Sequence, residues 1–361
     1  MRKHLGNWAL ALGAILGIFP DFDVMIFPLL DTAQRLAWHG GASHSLIIVG
    51  LGSYIFARGL VKFWPKAKIN GSRFGWFLFI VWCSHVLLDC LTVVGADFFW
   101  PISNKRISFN LLHPIDFLFS APLVIAALWL LNLKEPVLKK TRIKKPTKRS
   151  KRLICSWLGI GLSVVYLLFS CSMKYVASTG FGTDLAQRGK KYECRIEVPT
   201  PYNCLLWRGV VDRGDEFWVG YRTVFEQFAS PVRWTIYPKN EFSLSDTGAI
   251  RETKTLTGFT NGWWIARSNS KGAWVGDIRA PESRVWGSKK GMVDSRLELS
   301  WAINPSLKSD RLRYIFPDEK NSSDYLQRLV QRIFGNSEVW EANPRLAGIP
   351  GSLPEFLPVH E

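Results

Sequence analysis

The chain has 361 residues, a formal net charge of +17 and an isoelectric point near 9.7. Apolar residues make up 47% and charged residues only 21%, which excludes a disordered chain, a collagen and a coiled coil. The two halves differ, since residues 1–173 carry 20 basic and 7 acidic side chains, whereas residues 174–361 carry 26 and 22. We therefore expect an apolar membrane region followed by a region of globular composition.

Four or five apolar segments precede residue 174, and each is a candidate membrane span. They lie at about 7–20, 46–61, 74–96, 117–133 and 153–173. The last has 21 residues without a charge, which suits a spanning helix. The first resembles a signal-peptide core, but no small-residue cleavage pattern follows it, so we expect it to be retained.

Basic residues set the expected orientation of these spans. Lys and Arg precede the first segment, separate the second from the third, and form a run of ten at 134–152 before the fifth. The positive-inside rule places these stretches in the cytoplasm. The loops expected on the other side, 21–45 and 97–116, hold only Arg35, Lys105 and Arg106 as basic residues. Residues 174–361 are then extracytoplasmic.

The basic run at 134–152 has two interpretations. It could bind nucleic acid, but its position between two apolar segments favours contact with anionic lipid head groups. We therefore expect membrane lipids as partners and no nucleic acid.

The second half of the chain has the pattern of a β-rich domain. Short apolar runs alternate with turn signals between residues 198 and 302, which predicts short strands. An amphipathic helix is predicted at 323–334, with an apolar stripe of Leu326, Leu329, Val330 and Ile333. The tryptophans here are expected mainly in the core of the sheets rather than on a sugar-binding platform. The predicted strands are Leu205–Val211, Glu216–Tyr221, Val232–Tyr237, Trp263–Arg267, Ala273–Asp277 and Leu297–Ile303.

Two of the six cysteines, Cys194 and Cys204, lie outside the predicted spans. An oxidising compartment would allow them to pair, and we expect a disulfide, with two free thiols as the alternative.

Histidines and carboxylates of the membrane region gather near the predicted outer ends of the spans. His85 and Asp89 are four residues apart inside an apolar segment, so they share one helix face. Ionisable groups at such positions are costly and usually mark a functional interior, although a hydrogen-bonded pair that only joins two helices is the alternative. The other groups follow span one (Asp21, Asp23), precede span two (His39, His44) and precede span four (His113, Asp116).

Imidazole nitrogens and carboxylate oxygens together suit zinc or another divalent metal. Gly40 and Gly41 allow a sharp turn between the two histidines of the second group, and Ser45 is expected to cap the next helix rather than act as a nucleophile. Asp23 could ligate a second metal or orient a histidine. The predicted metal ligands are Asp21, Asp23, His39, His44, His85, Asp89 and Asp116.

The order of these motifs resembles the membrane-bound metal-dependent hydrolase family, also described as LexA-binding, inner-membrane-associated hydrolases. Within HGGASHS, His39, Gly41, His44 and Ser45 match the family pattern HRGxTHS, whereas Gly40 stands at its arginine position. Members begin with a further helix that bears Thr-His; His4 would lie about 24 Å from Asp21 along a helix and cannot replace it. The motifs are PDFD (20–23), HGGASHS (39–45), SHVLLDCLT (84–92), FFWPISNKR (98–106), HPID (113–116) and VPTPYNCLLWRGVV (198–211).

The resemblance implies a multi-pass protein of the bacterial inner (plasma) membrane that binds a divalent metal, expected to be zinc. It implies hydrolysis in which metal-activated water attacks a phosphoester or lipid-like substrate at the outer face, without a protein nucleophile. Two alternatives remain: a non-enzymatic scaffold or lipid-binding protein with a structural or degenerate metal site, and an ion or metal transporter.

We thus predict an α+β protein in which a polytopic α-helical membrane domain of about five spans precedes a β-rich extracytoplasmic domain with a C-terminal helix. The predicted parts are a helical metal-site domain (1–133), a basic cytoplasmic linker (134–152), a transmembrane helix (153–173) and an extracytoplasmic accessory domain (174–361).

Overall fold

The protein combines a helical N-terminal part with a sheet-rich C-terminal part, as predicted. Predictions that concern His4 and most of the basic run at 134–152 lie outside the described residues. The computed structural model describes residues 8–63, 70–133, 147–239, 249–269, 272–282, 297–304, 306–307, 310–315 and 322–341.

The N-terminal helices supply three or four apolar spans in the described part of the chain, against about five predicted. Three helical stretches, Leu46–Phe63, Gly71–Leu91 and Lys151–Gln187, are long and apolar enough to cross a membrane. Leu10–Gly17 and Phe19–Leu29 would form a fourth span as a pair bent by 42°. The helices are α1 (Trp8–Gly17), α2 (Thr32–Trp38), α3 (Leu46–Phe63), α4 (Gly71–Leu91), α5 (Phe117–Asn132, 16 residues) and α6 (Thr147–Gln187), with a 3₁₀ segment at Phe19–Leu29.

Helix α4 forms the centre of the N-terminal bundle. Its buried residues Phe74, Leu78, Trp82 and Val86 recur every four positions, so they form one face that packs against α3 and α1. The Trp82 indole Nε1 also donates a hydrogen bond of 2.8 Å to the carbonyl of Leu16 in α1. The same end of α4 continues into the histidine and aspartate motif, so this packing fixes the motif relative to α1 and α3.

Helix α6 is longer than the span predicted at 153–173. With 41 residues it is about 60 Å long, roughly twice the thickness of a bilayer core. Its last turns pack on the first sheet, where Asp184 Oδ1 accepts from the Val232 amide at 2.9 Å and Oδ2 accepts from Trp234 Nε1 at 2.7 Å. A continuous helix therefore connects the membrane region to the sheets.

The C-terminal part contains two antiparallel four-stranded sheets in the described residues, each in sequential order. The predicted strands are confirmed, although the third begins at Thr235 rather than Val232 and the sixth begins at Ser300 rather than Leu297. The first and last strands were not predicted. The first sheet holds β1 (Cys194–Pro199), β2 (Leu206–Asp212), β3 (Glu216–Thr223) and β4 (Thr235–Pro238). The second holds β5 (Trp264–Asn269), β6 (Gly272–Asp277), β7 (Ser300–Ile303) and β8 (Leu312–Tyr314), and the helices are α7 (Ile250–Thr260), α8 (Ser322–Ile333) and α9 (Ser337–Glu341).

One core joins both sheets to α8, and tryptophans are part of it, as predicted. Trp207 and Trp301 are fully buried in their sheets. The predicted stripe of α8 is only half correct, because Leu326 and Val330 are 46% and 51% exposed. The buried face consists of Tyr325, Leu329 and Ile333, which recur every four residues.

The predicted disulfide is wrong, since Cys194 and Cys204 are both free thiols. Cys194 opens β1 and is exposed, whereas Cys204 is buried in the turn that follows the other end of β1. The six residues of β1 extend over about 16 Å, and a disulfide requires Cα atoms within about 7 Å.

Candidate metal centre

Two tight turns bring the first motifs to the same end of the bundle. After α1 ends, Asp21 donates its backbone N–H to the carbonyl of Ile18 at 3.0 Å, which starts the 3₁₀ segment that carries Asp21 and Asp23. After α2 ends, Gly40 has φ +69°, and a Cβ on Gly41 would lie 2.6 Å from the carbonyl oxygen of Ala37. Both glycines are therefore required to turn the chain within the HGGASHS motif.

The start of α3 and the end of α4 complete the arrangement. Ser45 Oγ accepts a hydrogen bond of 3.2 Å from the Ile48 amide, which confirms its predicted role as a helix cap. The loop that follows α4 is tied to the HGGASHS turn because the Asp97 amide donates to the carbonyl of Gly40 at 2.8 Å. His44 thus precedes α3 directly, beside the last turn of α4, which carries His85 and Asp89.

Asp21, His44 and His85 form a group whose metal-binding atoms all lie within 4.8 Å of one another. Asp21 Oδ1 lies 3.2 Å from His44 Nε2 and 3.3 Å from His85 Nε2. Asp89 approaches the same two nitrogens, with its Oδ2 at 3.3 Å from His44 Nε2 and 3.4 Å from His85 Nε2. Two carboxylates and two imidazoles from three separate segments therefore meet at one place, which we call the His/Asp group.

One polar atom of the His/Asp group lacks a hydrogen bond. His85 Nε2 is buried and has no hydrogen-bond partner among the described residues, although two carboxylate oxygens lie within 3.4 Å of it. Buried polar atoms without a partner are rare and costly. The contacts are close, but their angles do not suit a hydrogen bond.

A second layer of hydrogen bonds sets the tautomer of His44. Ser43 Oγ lies 2.8 Å from Asp23 Oδ2, to which it donates its single proton, and 2.9 Å from His44 Nδ1. Ser43 must therefore accept from His44 Nδ1–H, because its own proton is engaged. A neutral His44 then presents the lone pair of Nε2 to the His/Asp group.

His39 belongs to this second layer. Its Nδ1 lies 3.1 Å from Asp23 Oδ1, and this hydrogen bond raises the pKa of His39 above its ordinary value. Its ring centroid is 5.8 Å from that of His44. Asp23 therefore binds His39 directly and His44 through Ser43, whereas Asp23 and His39 themselves lie outside the His/Asp group.

The structure does not bring Asp116 to the His/Asp group. Its Oδ1 accepts from the amides of Leu118 and Phe119, both at 3.1 Å, so the residue caps α5. Its Oδ2 accepts from the Tyr166 hydroxyl at 2.9 Å, which ties α5 to α6. Both oxygens are engaged, although Asp116 lines the same cavity as the group.

The cavity beside the His/Asp group has a volume of about 540 Å³. Tyr202 of the C-terminal part packs on two residues that line this cavity. Its ring centroid lies 5.5 Å from that of Phe117, on which it stacks, and 5.9 Å from that of His113. The other lining residues include Asp21, His39, His44, Asp89, Arg106 and Asp116.

Sequence analysis did not assign a role to Arg106 or Ser43. Arg106 is buried between the HGGASHS turn and α7, and burial lowers its pKa. Burial also raises the pKa of Asp97, whose Oδ1 lies 3.6 Å from Arg106 Nε. One feature of the sequence could have indicated a role for Arg106. The loop 97–116, expected outside the cytoplasm, holds only Lys105 and Arg106 as basic residues.

Comparison with known proteins places this arrangement in a membrane protein. Residues 1–177 match the sequence model of a family described as YdjM inner membrane protein. No curated protein and no solved structure matches the chain. The matched stretch contains every residue of the His/Asp group and the apolar helices around it, and it supports a membrane protein of this inner-membrane type.

Proposed function

We propose that the chain is a metal-dependent hydrolase of the inner membrane and that the His/Asp group holds one divalent ion, zinc being the best fit. The observation that carries the proposal is the buried His85 Nε2, which lies within 3.4 Å of oxygens of Asp21 and Asp89 and has no hydrogen-bond partner among the described residues. A cation bound between these atoms would satisfy the nitrogen and both carboxylates at once.

The distances in the group suit a small cation. A tetrahedral ion with bonds of about 2.0–2.1 Å keeps its ligand atoms about 3.3 Å apart. The four nitrogen–oxygen distances of the group lie between 3.2 and 3.4 Å, and the ligand atoms of Asp21, His44 and His85 all lie within 4.8 Å of one another, a set that does not include Asp89. The donor set of two imidazoles and two carboxylates also belongs to the chemistry of zinc.

The protonation states support the same conclusion. His44 Nε2 presents a lone pair when Ser43 holds the proton on Nδ1. His44 Nε2 lies 3.2 Å from Asp21 Oδ1, and this contact is a hydrogen bond when Nε2 carries a proton. In the tautomer with the proton on Nδ1, the Nε2 lone pair faces that carboxylate, and a bound cation would remove the repulsion between them. Histidines that ligate metals commonly donate their other ring N–H to a carboxylate, and His44 reaches the carboxylate of Asp23 in this way through the hydroxyl of Ser43.

The chain provides the setting for hydrolysis beside this group. A divalent ion, when bound, polarises a phosphoryl or carbonyl oxygen and activates water. Asp21, His44, His85 and Asp89 would hold the ion, and the cavity of about 540 Å³ leaves room for a phosphoester or lipid-like substrate. No protein nucleophile is required, and Ser45 is already used as a helix cap.

Activity of the purified full chain tests the reaction. We expect zinc-dependent release of phosphate from a soluble phosphomonoester or a short-chain phosphatidate, which His85→Ala abolishes and Ser45→Ala retains. Zinc-loaded protein that hydrolyses neither substrate would favour the alternative, a non-enzymatic scaffold or lipid-binding protein with a structural metal site.

The proposal includes the expected membrane orientation, with the His/Asp group and residues 174–361 outside the cytoplasm. The support is the distribution of basic residues, since the run at 134–152 precedes the long helix α6. Reporter fusions after residues 145 and 180 should report opposite sides of the membrane. Fusions that report the same side would contradict this orientation.

A further inference from the structure

Arg106 is a residue near the His/Asp group to which sequence analysis assigned no role, and its side chain is 97% buried. Its Nη2 donates to the carbonyls of His39 and Leu36, and its Nε lies 3.6 Å from Asp97 Oδ1. Its Nη1 is buried and has no hydrogen-bond partner in the part of the chain that the structure describes. One end of a buried guanidinium is therefore left without a hydrogen bond.

The C-terminal part holds Arg106 from the other side. The Phe259 ring lies 4.7 Å from the guanidinium carbon, so its face covers one side of the cation. The side-chain Nδ2 of Asn261, which follows α7, donates to the backbone carbonyl of Arg106 at 3.0 Å. Contacts from α2, α7 and the loop after α4 thus fix the side chain in one place, which limits the entropy lost when Nη1 binds a ligand.

A structural role of Arg106, in which it only holds the HGGASHS turn in place, explains part of this geometry. The hydrogen bonds from Nη2 to the carbonyls of His39 and Leu36 serve that role. They do not account for a buried, charged nitrogen without a partner, which is destabilising by itself. Arg106 also lines the cavity that contains Asp21, His44 and Asp89, and Nη1 lies on the side of Gly40, where a Cβ would approach it to 3.0 Å.

We propose that Arg106 binds an anionic oxygen of the substrate and that this anion is a phosphate group. The inference rests on the proposed function, because the phosphate would lie between the guanidinium and the ion held by the His/Asp group. A phosphate carries several charged oxygens in a tetrahedral arrangement, so one can contact a cation while another accepts from Nη1. Arginine placed in this way also stabilises the charge of a phosphoryl group during its transfer. The phosphate belongs either to a lipid head group or to a small soluble phosphoester.

Binding of inorganic phosphate to the zinc-loaded full chain in detergent, followed by calorimetry, tests the proposal. Arg106→Gln removes the charge and should weaken phosphate binding by at least about tenfold, whereas zinc content stays unchanged. Arg106→Lys keeps the charge and should give an intermediate affinity. The control is Lys105→Gln, a neighbouring exposed cation, which should bind phosphate like the wild type.

The outcomes separate this proposal from the one on which it rests. Wild-type protein that holds zinc but binds no phosphate, or Arg106 variants that bind it like the wild type, would overturn the inference and leave the metal site standing. If Arg106→Gln does not fold, the phosphate affinity of Arg106→Lys serves as the test instead, and an affinity equal to that of the wild type would overturn the inference. Wild-type protein without zinc would contradict the proposed function instead. Glycerol 3-phosphate and a short-chain phosphatidate, titrated under the same conditions, distinguish the two sources of phosphate by which binds more tightly.

Discussion

The molecule contains two clusters of charge that differ in composition and in exposure, since the side chains of Asp21 and Asp89 are 35% and 37% exposed whereas those of Glu282 and Arg208 are buried. In the C-terminal part, Glu282 accepts from Arg208 Nη2 at 2.9 Å and from the hydroxyl groups of Tyr221 and Tyr237. Every one of these partners is a donor, and the charges of Glu282 and Arg208 cancel, although Arg208 Nε has no hydrogen-bond partner among the described residues. In the His/Asp group, two carboxylates face two imidazole nitrogens, and one of those nitrogens has no hydrogen bond among the described residues.

The comparison separates a cluster whose charges are already paired from the group that we propose binds a metal ion. A carboxylate that already has a guanidinium and two hydroxyl donors gains nothing from a cation. Two neighbouring carboxylates that share only two imidazoles gain much from a cation, because it removes the repulsion between their like charges. The Glu282 cluster should therefore respond to mutation through stability, and the His/Asp group through metal binding.

The largest effect on stability is expected at Glu282. Glu282→Gln leaves Arg208 buried without its counter-ion and should lower the free energy of unfolding by about 3–5 kcal/mol. Denaturant titration followed by tryptophan fluorescence measures it, since several of the 17 tryptophans lie in the two sheets. Zinc content of the folded variant should equal that of the wild type, and a loss of zinc would show that the two clusters are not independent.

A smaller effect is expected one layer away from the His/Asp group. Asp23→Asn weakens the hydrogen bonds that orient His39 and Ser43 but removes no member of the group, so zinc affinity should fall by about 10–100-fold. Competition with a chelating dye measures this affinity. The matched control is Asp31→Asn, at the N-cap of α2, where the aspartate bonds Gln34 and Arg251 rather than His39 or Ser43. Equal affinities of the two variants would contradict the role of Asp23.

The smallest effect is expected at the exposed pair Arg251–Asp31, which joins α7 to the N-cap of α2 at 2.7 Å. Arg251→Gln should cost less than about 1 kcal/mol, because the guanidinium is more than half exposed. Burial raises the pKa of Asp31, but hydrogen bonds from the Gln34 amide and Arg251 outweigh it, so the pKa lies below its ordinary value.

This lowered pKa gives the Arg251 effect a pH dependence of defined sign. The stabilisation is complete above the unfolded pKa of about 3.9 and is lost as pH falls through the lower pKa of the folded protein. The difference in melting temperature between wild type and Arg251→Gln should therefore shrink once the pH is below about 4. A difference that grows on acidification would contradict the assignment.

The sequence was sufficient to predict that the PDFD, HGGASHS and SHVLLDCLT motifs come together. The spacing of residues on a helix and the turns that glycine allows explain why. His85 and Asp89 share a helix face because of their spacing, and Gly40 and Gly41 allow the turn that presents His44. The apolar pattern also predicted most helices and strands, since burial on one face sets the period of each element.

Long-range contacts account for what the sequence did not predict. Asp116 resembles a ligand in the HPID motif, but it caps α5 and binds Tyr166, 50 residues away in the chain. Arg106 is confined by α2 and by α7, which is more than 140 residues distant, so its burial cannot be inferred from its neighbours. The disulfide expected between Cys194 and Cys204 depended on the length of β1, a strand that was not predicted.

The central claim is that the His/Asp group binds one divalent ion, and elemental analysis of the purified full chain tests it most directly. The account predicts about one zinc ion per wild-type chain and less than about a tenth of that for His85→Ala. His113→Ala, which removes a histidine of the same cavity outside the group, should keep the wild-type content. Wild-type protein without a divalent ion, or His85→Ala protein that retains it, would contradict the account.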